Sequence, residues 1–182
     1  MAHANRVWTA EMVRALPEDG NRYEVVAGEL LVSPGPSWRH GDAVAELYVI
    51  LRGYCREHRL GHTRIAPQDV EFDEGNMVEP DLFVVPLVDG AKPREWSQVG
   101  RLLLAVEVLS PGTARHDRFT KRRLYQARQV PEYWIVDVDA GLVERWRPGD
   151  DRPEILAEVL TWQPDADQPP LEIDLPAYFA EI

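Results

Sequence analysis

Asp81, Glu107 and Lys121 are the residues whose types and placing invite chemistry. Asp81 follows Pro80 and opens the apolar run Leu82-Phe83-Val84-Val85. Glu107 closes the apolar run Leu102-Leu103-Leu104-Ala105-Val106, and Lys121 lies in the basic segment beyond it. Two carboxylates on neighbouring strands are a usual way to hold one Mg2+, which takes oxygen ligands and keeps several waters. Mn2+ would suit the same donors. Such an ion polarises a phosphodiester and lowers the pKa of a bound water. An ammonium group nearby would orient that water or offset charge on the phosphorane. Each residue also has a plainer reading. Asp81 after a proline suits a turn. Asp117 and Lys121, four apart on a helix, suit a surface ion pair worth about 0.3–0.5 kcal/mol. Glu107 resists such a reading, because a carboxylate against an apolar run is costly unless a cation or a hydrogen-bond donor meets it.

The elements that must position these groups follow from the same stretch. Residues 102–106 are too few to span a membrane and suit a buried strand. Ser110-Pro111-Gly112 breaks it, and Thr113 is a candidate cap for a helix running to about Gln129. Val130-Pro131 stops that helix, and Tyr133-Trp134-Ile135-Val136 reads as a second buried strand. Strand, crossover helix and strand predict a parallel pair. On the helix, Asp117, Lys121, Tyr125 and Arg128 share roughly one stripe.

Upstream, Thr9 to Leu16 predicts a short capped helix closed by Pro17. Arg22 to Val32 predicts a hairpin turning at Ala27-Gly28, and 33–37 a loop. Arg39 to Arg59 predicts a long helix with Val44, Leu47, Tyr48, Leu51 and Cys55 on its buried face. His40 continues that face at the N-terminal end, either at the rim of a site or simply bonded near the helix start. Residues 61–66 and 68–72 read as strand interrupted by Pro67, Gly75-Asn76 as a turn, Val78 to Val85 as one strand and 86–100 as a surface loop. After the parallel pair, 142–146 and 154–160 predict strands that extend the sheet. Leu171, Ile173 and Leu175 alternate in the tail, and Tyr178 and Phe179 are expected to cover an edge of the core.

Length suits one domain over residues 1–182 with room for a core. At 45% apolar and 28% charged residues the composition is that of an ordinary globular chain. No apolar run reaches the ~20 residues of a spanning helix, and Met1 to Arg6 carries no apolar leader. The single Cys55 excludes an internal disulfide and a thiolate cluster, so a reducing cytoplasm fits. The net charge of -11 argues against nucleic acid until its distribution is read. Residues 113–128 hold six cations against Asp117, a local charge of +5, so the rest of the chain carries -16. That is either a localised anion-seeking surface or a solvated helix paired with nearby carboxylates.

The series Pro80-Asp81, Glu107-Val108-Leu109-Ser110-Pro111, Asp117, Lys121, Tyr125 and Val130-Pro131-Glu132-Tyr133-Trp134-Ile135-Val136-Asp137 resembles the bacterial Uma family of restriction-endonuclease-like proteins. Tyr23 to Leu30 and Pro34 to His40 match that family's opening, and the resemblance covers roughly residues 9–178. The family is similar in its core to the PD-(D/E)XK nucleases. The resemblance implies an α/β fold with a restriction-endonuclease-like α-β-β-β-α-β core: a mixed central sheet flanked by helices, here with an N-terminal hairpin and extra C-terminal strands. It implies Mg2+-dependent cleavage of DNA. Asp81 takes the place of the motif acid and Glu107 of the second acidic ligand, with the Val108 carbonyl as a third ligand. The superfamily sets a lysine two residues after the second acid, where this chain has Leu109; Lys121 on the following helix is the matching substitute. An earlier element supplies a further acid, for which Glu24, Glu29 and Glu46 are all available. Arg118 and Arg122 would grip phosphates, His40 and Asp117 would support the site, and a homodimer is expected of a double-strand cutter. The Leu109 departure and the acidic net charge favour the other reading, a catalytically inactive nuclease-fold module that binds nucleic acid or a protein partner.

Overall fold

The computed structural model describes residues 7–182; the expectation that Met1 to Arg6 is no apolar leader falls outside the described residues. Helix α1 (Ala10–Arg14) starts at Thr9, whose hydroxyl accepts from the Met12 amide at 3.2 Å. Strands β1 (Arg22–Val26) and β2 (Glu29–Ser33) pair in register Val26↔Glu29. The two residues between them have φ of 51° at Ala27 and 76° at Gly28, as a two-residue hairpin turn requires.

Helix α2 (Trp38–Glu57) begins at Ser37, which caps His40. Its buried stripe is Ala43, Leu47, Leu51, Tyr54 and Cys55. Val44 and Tyr48, expected at the centre, are only partly buried at the rim. Then follow β3 (Gly61–Ile65), β4 (Val70–Asp73), β5 (Asn76–Val78) and β6 (Leu82–Pro86). The single strand expected over 78–85 is thus two strands. The Glu79-Pro80-Asp81 segment carries the chain from one sheet to another, since proline offers no ladder donor.

Strand β7 (Leu104–Val108) runs one residue beyond Glu107, which is therefore inside the strand rather than at its end. Beyond the Ser110–Thr113 turn, the crossover helix is not uniform. A π-helical segment, His116–Lys121, precedes helix α3 (Arg122–Ala127). The Arg122 amide reaches back five residues to the Asp117 carbonyl. Thr113 does not cap the helix; its hydroxyl accepts from the Ser110 amide at 3.3 Å and closes the preceding turn. Strand β8 (Tyr133–Asp137) is parallel to β7, in register Glu107↔Ile135. Strands β9 (Leu142–Trp146) and β10 (Glu154–Leu156) extend the sheet. The strand expected over 154–160 also divides: β11 (Val159–Trp162) leaves the sheet and pairs with β12 (Leu171–Asp174), which leads into α4 (Leu175–Ala180).

The central sheet is mixed and six-stranded, ordered β10-β9-β8-β7-β6-β3, with a second sheet ordered β2-β1-β5-β4. Alternation on the central strands sends Leu82, Val84, Leu104, Val106, Trp134 and Val136 toward α2, α4 and the β11–β12 pair. Phe83, Val85, Ala105, Tyr133 and Ile135 face the opposite way, toward α3 and the hairpin sheet. Asp81 and Glu107 share the parity of this second face. The expected α/β architecture is therefore observed, with helices on both sides of a mixed sheet.

Candidate functional site

The β6–β7 register pairs Leu82 with Val106. One step further sets Asp81 opposite Glu107, a cross-strand pair on the face that meets α3 and β1. Both are buried, at 3% and 2% exposure. From β1, Arg22 and Glu24 point to the same side, two residues apart on a strand. From the π-helical segment come Asp117 and Lys121, the buried charges of the crossover helix. All but Glu24 line one cavity of about 320 Å3, walled by the Pro34–Pro36 loop and the Ser110–Thr113 turn.

Lys121 ties the acids together. Its Nζ lies 2.8 Å from Glu24 Oε2, 3.0 Å from Glu107 Oε1 and 3.6 Å from Asp117 Oδ1. The Tyr125 hydroxyl donates to the same Glu107 oxygen at 3.1 Å. Glu24 also accepts from the Glu79 amide at 2.7 Å, fixing the chain just ahead of Asp81. Asp81 is held on three sides. Arg22 Nη1 donates to Oδ1 at 2.7 Å, while the Val108 amide at 2.8 Å and His40 Nε2 at 3.0 Å meet Oδ2.

These partners divide the acids by protonation. Burial would raise the Asp81 pKa, but the His40 hydrogen bond, then the charges of His40, Arg22 and Lys121, hold it down at about 2. Burial pushes Glu107 well above the usual carboxylate range; Lys121 opposes this, while Asp81, Asp117 and Glu24 add to the rise. Asp117 is also raised, by burial first, and neither of its carboxylate oxygens meets a hydrogen-bond donor. Burial opposes the charge on Lys121, yet Glu107, Glu24 and Asp117 raise its pKa well above the usual value, so it stays an ammonium.

Of the three acids open at sequence level, Glu24 reaches the cluster. Glu29 and Glu46 are exposed. His40 contacts Asp81 directly. Val108 touches Asp81 through its amide. Leu109 is half-buried against the α3-side core, so the ammonium near Glu107 comes from Lys121 alone among the described residues. Arg22 was missed, since its place beside Glu24 on β1 matters only once β1 is set against Asp81. Arg118 and Arg122 lie outside the cavity. Arg118 pairs with Glu144 at 2.6 Å and Asp137 at 2.9 Å, and Arg122 stacks over Trp146 at 4.7 Å. Arg128 pairs with Asp73. For Arg118 and Arg128 the solvated-helix reading of the basic segment therefore holds.

A family model described as "Uma2: Putative restriction endonuclease" matches residues 10–179. The chain belongs to the Uma2 family. The Uma2 chain is also similar to a crystal structure from Anabaena variabilis, described as that of a putative nuclease belonging to DUF820. The two superpose with a TM-score of 0.77 over 95% of this chain and 98% of the other, at 17% identity, which shows a shared fold. A search of curated proteins gives no significant match.

Proposed function

We propose that this Uma2 protein is a metal-dependent endonuclease that hydrolyses DNA phosphodiester bonds. The observation that carries the proposal is the meeting of Asp81, Glu107 and Lys121 in one solvent-reached cavity. Among the described residues no three His, Cys, Asp or Glu side chains form a ready metal cage. Mg2+ does not need one, since it binds through one or two carboxylates and keeps its waters. The all-oxygen donor set fits a hard cation, and Asp117 adds carboxylate oxygens whose nearest charge is the Lys121 ammonium at 3.6 Å. Asp81 and Glu107 would hold it, with the Val108 carbonyl beside them; Mn2+ would be accepted too. Bound there, the ion would supply an acidified water and charge neutralisation at the phosphate.

The chain's own groups do the rest. Arg22 and His40 keep Asp81 ionised and fixed in direction. Lys121 offsets the burial of Glu107 and sets a positive charge where phosphorane charge develops. Arg122, stacked on Trp146, is the candidate for a flanking phosphate, while Arg118 would have to exchange Glu144 and Asp137 for one. A second copy of the chain would deliver the cut on the opposite strand. The reducing cytoplasm suits the buried free thiol of Cys55.

The second reading, a nuclease-fold module without turnover, has its own support. Both oxygens of Asp81 already have donors, and Leu109 stands in the motif lysine's place. Nicking of supercoiled plasmid with Mg2+, Mn2+ or chelator separates the two. Metal-dependent nicking that Glu107→Ala abolishes is expected for the enzyme. Retained DNA complexes with no nicking in any metal would establish the binding module instead.

A further inference from the structure

We infer that the far end of α2 holds a separate binding site for a phosphate-class dianion. Arg52 and Arg56 from the end of α2, Arg59 just beyond it, His62 from β3 and Lys92 from the loop after β6 line a cavity of about 150 Å3. No carboxylate lines it. His40 and Arg56 are sixteen residues apart on α2, so at 1.5 Å per residue the cavity lies about 24 Å from the acid cluster.

What sets these cations apart is that they converge on one cavity with no carboxylate in its lining, Arg52 also stacking on the Tyr48 ring at 5.9 Å. Acids outnumber Lys and Arg by 31 to 20, and Arg14, Arg22, Arg39, Arg118, Arg128, Arg145 and Arg147 all meet carboxylates. Arg52, Arg56, Arg59 and Lys92 form no ion pair among the described residues. Glu57 and Asp89 neighbour the cavity in sequence but do not line it. A cation near a helix C-terminus answers the helix dipole, and one residue would suffice for that. Arg59 also stands where glycine is favoured, at φ 53° just past the helix, with the Leu60 amide returning to the Cys55 carbonyl at 3.0 Å. The charge is felt by His62, whose pKa is lowered by burial and by Arg64, Lys92 and Arg52.

The cavity has room for several waters. That admits a phosphate group. The group would be either free phosphate or a nucleic-acid backbone phosphate whose remainder stays outside.

The His62 imidazole signals report on the site by NMR. Inorganic phosphate should raise the His62 pKa saturably in the wild type, and chloride at equal ionic strength should not. Arg56→Gln/Arg59→Gln, checked for unchanged fold by circular dichroism, should weaken the phosphate response at least tenfold. A His62 shift equal in phosphate and chloride, or a response unchanged in the double variant, overturns the inference. A short DNA duplex that produces the phosphate-like shift identifies the backbone as the source. A duplex without effect, beside a phosphate response, identifies free phosphate.

Discussion

Two buried acids a cross-strand step apart have been given opposite electrostatics. The partners of Asp81 hold its pKa below that of the unfolded chain. It therefore contributes stability that is present above about pH 4 and is lost as the pH falls through about 2. Asp81→Asn should lower stability at neutral pH by about 2 kcal/mol and flatten the acid limb of the stability curve, read from urea melts at several pH values. Glu107 has the reverse sign. Its folded pKa is raised, so the native state binds more protons than the unfolded chain between the ordinary and the raised value. Stability falls as pH rises through that window. Glu107→Gln should stabilise the fold at pH 7 by about 1 kcal/mol or more while abolishing nicking, a separation of stability from activity. Lys121→Met should act oppositely, costing about 3–5 kcal/mol because it leaves carboxylates buried without their cation; thermal melts of the two variants should move in opposite directions. Asp81 and Glu107 were legible because carboxylates are rare beside apolar runs, whereas Lys121, inside a basic segment, stood out through the family resemblance. Arg22 was not legible, because one charged residue at a strand start carries no signal until its partner strand is known.

At the scale of elements, periodicity identified most strands and helices, and the parallel β7–β8 pair followed from its helical crossover. It failed where chain direction changes without a change in hydropathy. Val78 to Val85 reads as one apolar stretch, yet Pro80 divides it between two sheets, and that division delivers Asp81 to Glu107. The tail strand over 154–160 divides for the same reason: β10 and β11 are both strand-like, but only tertiary pairing assigns them to different sheets. The π-helical segment was invisible because charged Asp117 and Lys121 add nothing to an apolar period. It falls on the turn that carries both buried charges, as π-turns often fall at functional sites. The hairpin offers an independent check on local rules. Ala27 holds φ 51° where Asn is preferred before glycine. Ala27→Asn should raise the urea midpoint, worth about 0.5–1 kcal/mol, with the slope unchanged.

Across the whole molecule, charge and fold divide the work. An acidic body with a net charge of -11 repels itself at low ionic strength. Raising salt from about 0.01 M to 0.15 M shortens the screening length from about 30 Å to 8 Å, so the thermal midpoint should rise over that range; a fall would show that favourable ion pairs outweigh the self-repulsion. If the chain binds DNA as proposed, the same acidity would keep non-specific affinity weak and confine phosphate contacts to local cationic surfaces. The family match and the shared fold fix the scaffold, and the proposed function places its chemistry at the acids around Lys121. The central claim is that Asp81 and Glu107 together hold one divalent cation. Calorimetric titration with Mn2+ tests it most directly. One Mn2+ per chain in the wild type, lost in both Asp81→Ala and Glu107→Ala, is the predicted result; Mn2+ binding that persists in both variants, or none in the wild type, contradicts it.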